Sequence, residues 1–332
     1  MIYRLILALR HLAYDKGWKK TFKAAVPTVS IGNLTVGGTG KTPHTELLLQ
    51  ILQENWVVPL SVLSRGYKRK TRGYRVAGPD ATAREVGDEP LQIARKFPAV
   101  TVAVDKNRVR GCQELASSKV IILDDAFQYR KLEATLNIVL VDYSRPIFKD
   151  SLMPFGHLRD LPSQLKRAQI VIVSKCPAEL SDEERAEWRA NLKLADEQEL
   201  YFTTVSYCPP EGVFPEADAH YLYSQRLVLL SGIANNAPLR MYLSDTYKIA
   251  QRLEYPDHHR FSKADIRTVA SAAKANPTAC LMTTEKDAQR LRDCKDVPAV
   301  IRERLFYVPI RATFLTQEEE AAFTAHLLKA VE

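Results

Sequence analysis

A glycine-rich loop that ends in a lysine and a threonine is the part of the chain best suited to bind phosphate. An apolar run at 26–31 precedes it and the apolar run TELLLQILQ follows, so the pattern predicts a strand, a loop and a helix. Glycines let backbone N–H groups turn toward an anion, and the helix directs its positive end to the same place. The predicted cradle consists of Thr35, Val36, Gly37, Gly38, Thr39, Gly40, Lys41 and Thr42.

The lysine and the threonine extend this prediction to ATP and Mg²⁺. In such loops the lysine reaches the β- and γ-phosphates and the hydroxyl holds Mg²⁺, which assigns these roles to Lys41 and Thr42. The usual pattern has a glycine six residues before the lysine, where this chain has Thr35. The alternative is a glycine-rich turn before an ordinary helix.

Two adjacent carboxylates follow a second apolar run, VIIL at 120–123. Asp124 and Asp125 stand where a buried strand would deliver acids to a nucleotide site, and one acid would bind Mg²⁺ directly or through water. Gln128 could orient a phosphate or a metal-bound water. The alternative is an acidic turn at a strand end.

Two pairs of titratable residues lie outside these two runs. Asp88 and Glu89 follow Gly87 at the predicted start of a helix, where stabilising the helix terminus is a sufficient role. His258 and His259 follow Asp257 in a turn-like context. A carboxylate can fix the tautomer of an imidazole, although a structural role for the pair stays open. A zinc site is disfavoured, because no further ligands stand at a suitable spacing.

Composition limits the class of protein. The 332 residues carry a net charge of +8, which suits an anionic partner, and the five cysteines lack a C-x-x-C pair, which disfavours disulfides and zinc. No apolar run reaches the ~18–20 residues of a membrane-spanning helix. The basic segment KRKTRGYR could be a solvated face or could steer an anionic substrate. Residues 1–23 resemble a basic amphipathic helix that either lies in a membrane interface or packs on its own domain.

The order of apolar runs predicts an α/β fold. Short apolar runs alternate with helical segments as far as residue 175, which indicates a parallel sheet covered on both faces. Two β-like runs at 200–207 and 305–310 bracket the remaining segment, so they could be paired linker strands around a smaller lobe.

Several motifs in one order resemble the tetraacyldisaccharide 4'-kinases (lipid A 4'-kinases) of Gram-negative bacteria. They are SIGNLTVGGTGKTP, LSRGYKR, GDEP, VDKNRVRG, LDDAFQYR, PFGHLRD, SGIAN, PDHHRF and TTEKD, and they span residues 28–287. The resemblance implies a P-loop NTPase-like α/β/α sandwich with a smaller α/β lobe, joined by a two-stranded β linker, and an N-terminal amphipathic helix. The implied bounds are 1–23 for the membrane-associating helix, 24–199 for the P-loop kinase domain, 200–208 and 305–312 for the linker strands, 209–304 for the lobe and 313–332 for a last helix.

The same resemblance implies a reaction and a set of site residues. The γ-phosphate of ATP would pass to the 4'-hydroxyl of a lipid A disaccharide 1-phosphate, on the cytoplasmic face of the bacterial inner membrane, in a peripheral or monotopic protein. Asp88 would be the general base and His258 its partner, and the sequence leaves open whether His259 takes that place instead. Glu89, Asp124 and Asp125 would manage Mg²⁺, together with Thr42, and the surroundings of the nucleophile, with Glu89 and Asp125 as further catalytic residues. The residues implied in binding the acceptor are Asn33, Arg108, Gln128 and Arg159.

Small departures from the family pattern concern substrate contact rather than the reaction. Tyr255, Tyr129 and Ala126 stand where the family often has Phe, His and Gly. The partners expected are the acylated disaccharide 1-phosphate and the inner-membrane lipid surface, and a monomer is expected. A nucleic-acid partner is not expected, because no helix-turn-helix or aromatic RNA motif is present. The rival interpretation is a membrane-associated P-loop ATPase or GTPase switch.

Overall fold

The computed structural model describes residues 2–332 and divides them into two units. The large unit comprises residues 2–81, 93–206 and 311–332, and the small unit comprises residues 82–92 and 207–310. The helices are α1 (Ile2–Asp15), α2 (Lys41–Glu54), α3 (Ala83–Val86), α4 (Asp88–Lys96), α5 (Arg108–Glu114), α6 (Asp182–Leu192), α7 (Ala237–Ser244), α8 (Lys263–Ala275), α9 (Glu285–Arg292), α10 (Ala299–Arg302) and α11 (Gln317–Val331).

Strands alternate with these helices along most of the chain. They are β1 (Phe22–Lys23), β2 (Thr28–Asn33), β3 (Leu60–Ser64), β4 (Arg75–Val76), β5 (Thr101–Val104), β6 (Val120–Asp124), β7 (Leu132–Glu133), β8 (Leu136–Asp142), β9 (Ile170–Ser174), β10 (Glu199–Tyr207), β11 (Glu211–Gly212), β12 (Arg226–Ser231), β13 (Lys248–Glu254), β14 (Cys280–Thr284), β15 (Leu305–Val308) and β16 (Ile310–Phe314). Short 3₁₀ turns occupy Ile147–Lys149, Pro162–Arg167 and Ala219–Tyr223.

The large unit is organised around a nine-stranded sheet in the order β16-β10-β9-β8-β2-β6-β3-β5-β4. The ladders from β10 through β5 are parallel, and β4 is antiparallel to β5. Alternate residues of a strand face opposite sides of a sheet, and both sides of β8 are buried: Ile138 and Leu140 join one apolar cluster, while Val139 and Val141 join another. The sequence-based prediction of a parallel sheet covered on both faces is confirmed.

The order of strands brings the predicted phosphate loop and the acidic strand end to one edge of this sheet. β2 is hydrogen-bonded to β6 in a parallel ladder, with Ile31 opposite Asp124. The carboxyl ends of parallel strands lie at the same edge, which is where α/β proteins bind their ligands. The loop after β2 and the acids after β6 are therefore neighbours, although about 90 residues separate them in the chain.

The small unit has its own five-stranded sheet in the order β11-β15-β14-β12-β13. Its four longer strands are parallel, and the two faces of β12 again enter different apolar clusters. Segment 82–92, which carries Asp88 and Glu89, belongs to this unit and not to the sheet that precedes it in the chain.

Three predicted segments differ in extent from the structure. The N-terminal helix ends at Asp15, because Gly17 adopts φ 70°, a left-handed conformation that terminates helices, and residues 22–23 form β1. The stretch predicted as one linker strand at 305–312 is divided into β15, inside the five-stranded sheet, and β16, beside β10. Pro309 lies between them and has no N–H for a ladder. The last helix begins at Gln317, where Thr316 caps it.

Helix α1 is attached to the large unit along one face. Leu7, His11 and Tyr14 are buried, and His11 Nε2 lies 2.6 Å from the buried Asp160 carboxylate. The opposite face exposes apolar side chains to solvent, namely Ile2, Leu5, Ile6, Leu9 and Leu12. No helix within residues 2–332 is long and apolar enough to cross a bilayer.

Candidate functional site

The phosphate loop of the large unit has the backbone geometry that anion binding requires. Gly37 and Gly40 adopt φ 103° and 84°, which side chains other than glycine rarely tolerate. Gly40 is the N-cap residue of α2, and no side chain caps that helix terminus. Pro43, in the first turn, has no N–H at all. The loop thus presents backbone N–H groups where a phosphate would be stabilised by the helix dipole.

A charged group of three side chains lies beside the loop. Lys41 Nζ is 3.8 Å from Asp125 Oδ1, and Arg159 donates to both oxygens of the same carboxylate, with Nη1 at 3.1 Å from Oδ2. Burial works to raise the pKa of Asp125, but the hydrogen bonds from Arg159 and the charge of Lys41 outweigh it and lower the pKa to about 2. Asp125 is therefore an anion at neutral pH, and it holds two cations at the loop.

Hydrogen bonds join three further predicted residues to this group. Asn33 Nδ2 donates to Thr39 Oγ1 at 2.7 Å, and the Asn33 side-chain oxygen accepts a short hydrogen bond from Arg159. Gln128 Nε2 donates to the Asn33 carbonyl at 2.8 Å. Asn33, Gln128 and Arg159 come from three separate segments, and the structure brings all of them to the phosphate loop.

Asp124 and Arg108 lie deeper in the same region, each about 3% exposed. Arg108 donates to the carbonyls of Asp105 and Asp124, the latter at 3.4 Å from Nη2. Burial lowers the pKa of the Arg108 guanidinium, while the charges of Asp124 and Asp125 oppose that shift. The guanidinium is thus bound to one backbone oxygen just after β5 and one at the end of β6.

The oxygen donors in the large unit suit a magnesium ion better than a zinc ion. Thr42, Asp124 and Asp125 offer only hydroxyl and carboxylate oxygens, the ligands that Mg²⁺ prefers. Within residues 2–332 no three His, Cys, Asp or Glu side chains are grouped closely enough to enclose a metal ion. Mg²⁺ is commonly held by one or two carboxylates together with substrate phosphates, so this donor set fits it.

The small unit contains the second group of predicted residues. Asp88 and Glu89 form the first turn of α4, and His258 Nδ1 lies 3.0 Å from Asp88 Oδ2. His259, the neighbouring histidine, instead pairs with Asp265 at 3.0 Å. The backbone of His258 is in the left-handed region, at φ 59°. The side chains of the two histidines contact different carboxylates. The sequence left open which histidine partners Asp88, and in the structure it is His258.

Two cations of α9 complete this group, and the sequence analysis gave neither a role. Lys286 forms a short ion pair with Glu89, and Arg290 Nε lies 3.6 Å from Asp88 Oδ2. Burial favours the neutral amine of Lys286, but the Glu89 carboxylate outweighs it and raises the pKa of Lys286. Lys286 belongs to the quoted motif TTEKD, and Arg290 follows it by one helical turn. The four-residue spacing of these two cations was the signal in the sequence that they share one face of a helix.

The site residues fall into two sets. The large unit holds the phosphate loop with Asn33, Arg108, Asp124, Asp125, Gln128 and Arg159. The small unit holds Asp88, Glu89 and His258 with Lys286 and Arg290. A parallel sheet with a phosphate loop between one strand and the following helix, acids at the adjacent strand end and a separate Asp-His pair together define a P-loop phosphotransferase.

Comparison with known proteins identifies the family of phosphotransferases to which the chain belongs. The family model described as tetraacyldisaccharide-1-P 4'-kinase matches residues 1–332. A protein of Flavobacterium johnsoniae named tetraacyldisaccharide 4'-kinase is 40% identical over 324 residues, which cover 96% of this chain and 92% of the relative. The protein of the same name from Bacteroides thetaiotaomicron is 38% identical, with 98% and 90% covered. The chain belongs to the tetraacyldisaccharide 4'-kinase family.

A solved structure supports the same conclusion at the level of the fold. The LpxK protein of Aquifex aeolicus, crystallised in complex with ATP, superposes with a TM-score of 0.76 at 27% identity, and the match covers 100% of this chain and 96% of that one. The family resemblance and the α/β fold class predicted from the sequence are both confirmed. The chain is accordingly an ATP-binding kinase of lipid A biosynthesis.

Proposed function

We propose that this protein transfers the γ-phosphoryl group of ATP to the 4'-hydroxyl of an acylated disaccharide 1-phosphate, through the residues described above. The observation that carries the assignment of roles is the 3.0 Å contact between Asp88 and His258 in a chain that also has a phosphate loop. A phosphate loop alone serves hydrolases and switches as well as kinases. An oriented carboxylate is what a kinase adds, because it can accept the proton of the attacking hydroxyl.

The large unit binds the nucleotide in this proposal. Backbone N–H groups of 37–42 surround the phosphates, except that of Thr39, which donates to the Gly37 carbonyl. Lys41 places its charge at the β- and γ-phosphates. Asp125 keeps Lys41 and Arg159 beside the loop before ATP arrives, as the contacts of both cations with its carboxylate support. Phosphoryl transfer needs mainly charge neutralisation and in-line positioning, and these residues supply both.

Thr42, Asp124 and Asp125 are the residues that would hold Mg²⁺ in the large unit. When bound, the ion would neutralise charge on the transferring phosphoryl group. Thr42 stands in the first turn of α2, Asp124 is the last residue of β6, and Asp125 follows that strand directly. Glu89 was also predicted as a metal ligand. Its ion pair with Lys286 supports a different primary role, which is to hold that lysine in the small unit.

Asp88 acts as the general base. A carboxylate oxygen can only accept, so the hydrogen bond with His258 requires a proton on Nδ1 of the imidazole. That bond orients the carboxylate, and Arg290 places a guanidinium nitrogen at 3.6 Å from the same oxygen. The proton of the sugar hydroxyl passes to Asp88 as the new O–P bond forms, and ADP leaves with the electrons of the broken bond.

Arg159, Asn33 and Gln128 bind the acceptor. They form one hydrogen-bonded group at the loop, and the Arg159 side chain retains 23% of its exposure, so it can reach a substrate phosphate or sugar. Arg108 differs, since its guanidinium is buried against backbone carbonyls. Its contact with substrate stays a prediction, and its present contacts support a role in holding the end of β6.

The exposed apolar face of α1 is proposed to contact the membrane that contains the lipid acceptor. Five apolar side chains of this helix are 41–77% exposed, and Trp18 after it is 74% exposed. Basic residues flank them, which suits an anionic lipid surface. The protein is then a peripheral, monomeric enzyme of the cytoplasmic face. Replacing Leu5 and Leu9 by Ser should reduce co-sedimentation with anionic vesicles, whereas a chromatographic mass of two chains would contradict the monomer.

One assay tests the reaction. The purified protein is incubated with ATP, Mg²⁺ and a 1-phosphorylated acylated disaccharide, and the products are resolved by mass. The proposal requires a disaccharide that is heavier by one phosphate group. It also requires one molecule of ADP for each phosphorylated disaccharide. Hydrolysis of ATP that is equally fast with and without the lipid, and that yields no phosphorylated sugar, would instead support the nucleotide-switch alternative.

A further inference from the structure

Three consecutive carbonyls of the phosphate loop accept hydrogen bonds from side chains. Gly38 O accepts a short bond from Lys175 Nζ, Thr39 O accepts from Ser174 Oγ at 2.9 Å, and Gly40 O accepts from His44 Nδ1 at 2.7 Å. In a trans peptide the carbonyl and the next N–H point in opposite directions. The bonds to Thr39 O and Gly40 O therefore also fix the N–H groups of Gly40 and Lys41, which are the groups a phosphate would use.

His44 is the member of this set with the most defined chemistry. Its ring is buried, and it lies on the first turn of α2 behind the loop. A carbonyl oxygen only accepts, so Nδ1 carries the proton, and Nε2 then accepts from Thr203 Oγ1 at 2.9 Å. A neutral imidazole satisfies both contacts at once. Burial and the nearby charge of Lys175 hold the pKa of His44 near 4, against the raising effect of the Gly40 carbonyl.

The residue that His44 contacts is a glycine in a backbone conformation that other residues rarely adopt. Gly40 is in the left-handed region, at φ 84° and ψ 21°, and no side chain caps the helix there. A Cβ at Gly40 would lie 3.4 Å from His44 Nδ1, so the ring is packed against the glycine face. Glycine pays the largest entropy cost on being ordered. A ring that already fixes the Gly40 carbonyl removes part of that cost from nucleotide binding.

We propose that His44 is a positioning residue that fixes the Gly40–Lys41 peptide in its phosphate-binding orientation before ATP arrives. The inference rests on the proposed function, in which this loop binds ATP. His44 contacts the loop backbone and Thr203, both in the large unit, and the Lys41 side chain supplies the charge that acts on the phosphoryl group. Loss of His44 should therefore raise the KM for ATP and leave kcat and the KM for the lipid nearly unchanged.

Three substitutions separate the contact with the loop from the rest of the side chain. The amide nitrogen of Asn can occupy the Nδ1 position and donate to Gly40 O. The longer Gln amide reaches the Nε2 position and Thr203, and Phe keeps the shape of the ring without either nitrogen. We expect His44→Phe and His44→Gln to raise the KM for ATP about tenfold, since a buried hydrogen bond is lost. His44→Asn should stay within about threefold of the parent chain, with kcat within twofold for all three.

The controls distinguish failure of this inference from failure of the proposed function. His326→Asn, on α11, is the matched change at a histidine away from the loop, and it should leave the KM for ATP unaltered. If the parent chain binds no ATP in an equilibrium titration, the proposed function fails. If the parent chain binds ATP but His44→Phe and His44→Gln keep its KM, or lower only kcat, the inference on His44 is wrong. Thermal unfolding identifies any variant that does not fold. If His44→Phe does not fold, the KM for ATP of His44→Gln compared with that of His44→Asn tests the inference on His44.

Discussion

The phosphate loop and the Asp88 group differ in how the chain assembles them. The loop takes its chemistry from eight consecutive residues, and most of its binding groups belong to the backbone. The Asp88 group takes its side chains from α4, from the turn at 256–259 and from α9, and 170 positions separate Asp88 from His258. A local motif can therefore bind phosphate almost anywhere a strand and a helix meet, whereas the contact between Asp88 and His258 depends on the packing of one particular unit.

The two groups also use charge differently. At the loop a single anion, Asp125, holds two cations, Lys41 and Arg159. In the Asp88 group two anions on one helical turn each face a cation of α9, with Lys286 against Glu89 and Arg290 near Asp88. The first arrangement leaves an excess of positive charge for an anionic ligand. The second places a cation within 4 Å of each of its two carboxylates, and Arg290 also pairs with Asp287 at 2.8 Å.

Removing Lys41 should have the largest effect. Lys41→Met deletes the charge proposed to act on the γ-phosphate, and cations in this role are worth roughly 10³–10⁵ in rate. We expect kcat to fall by about 10⁴ and ATP binding to weaken. The measurement is steady-state kinetics with an equilibrium ATP titration. If Lys41→Met kept more than a tenth of the parent activity, the role assigned to Lys41 at the γ-phosphate would be wrong.

Removing the base should affect the reaction without affecting nucleotide binding. Asp88→Asn keeps the shape of the side chain but cannot take up a proton, and general bases contribute about 10²–10⁴ in rate. We expect kcat to fall by roughly 10³ while the dissociation constant of ATP stays within twofold. The contrast with Lys41→Met is the sharpest test of the separation between the two groups. Equal loss of ATP affinity in both variants would contradict it.

The adjacent histidines provide a matched pair with a smaller effect. His258 and His259 each lie 3.0 Å from a carboxylate, but only His258 faces Asp88. Asn tolerates the left-handed backbone of His258, so His258→Asn should fold. We expect kcat to fall about 10–100-fold in His258→Asn, because the base loses its hydrogen bond, and less than threefold in His259→Asn. A larger fall in kcat for His259→Asn than for His258→Asn would falsify the assignment of His258 as the partner of Asp88.

A further effect concerns folding stability rather than rate, and it is a pH dependence carried by His44. Its pKa falls from 6.5 to about 4 on folding, so above pH 6.5 both states are neutral and the stability is complete. Between pH 6.5 and pH 4 the unfolded chain binds a proton that the folded chain does not, and stability decreases as the pH falls. The loss reaches about 3 kcal/mol near pH 4.

Comparison with a variant isolates this contribution from the carboxylates that titrate in the same range. His44→Phe lacks the titrating ring, so the difference in unfolding free energy between the parent chain and the variant should shrink as the pH is lowered from 7 to 4. Denaturant unfolding at each pH measures that difference. A difference that stays constant over this range would show that the folded state also protonates His44.

Much of the site could be predicted from the sequence, because its signals are local. The loop of 35–42, the acids after β6 and the motifs around Asp88 and His258 are all short segments whose residue types indicate phosphate and proton chemistry. Element bounds were less predictable. The segment 305–312 looks like one strand in sequence, yet Pro309 divides it between two sheets. Lys286 and Arg290 received no role, since a charged helix in sequence gives no sign of the carboxylates it faces.

The amino-acid sequence by itself determined the family, the phosphate loop and the alternation of strands and helices, because backbone conformation and hydrophobic period are set by neighbouring residues. Only the tertiary structure decided which histidine meets Asp88, which cations balance the two carboxylates of α4, and that His44 lies behind Gly40 with Thr203. The contacts of His44 with Thr203, of His258 with Asp88 and of Lys286 with Glu89 join residues 159 to 197 positions apart, and each arises from the packing of whole elements rather than from any local preference.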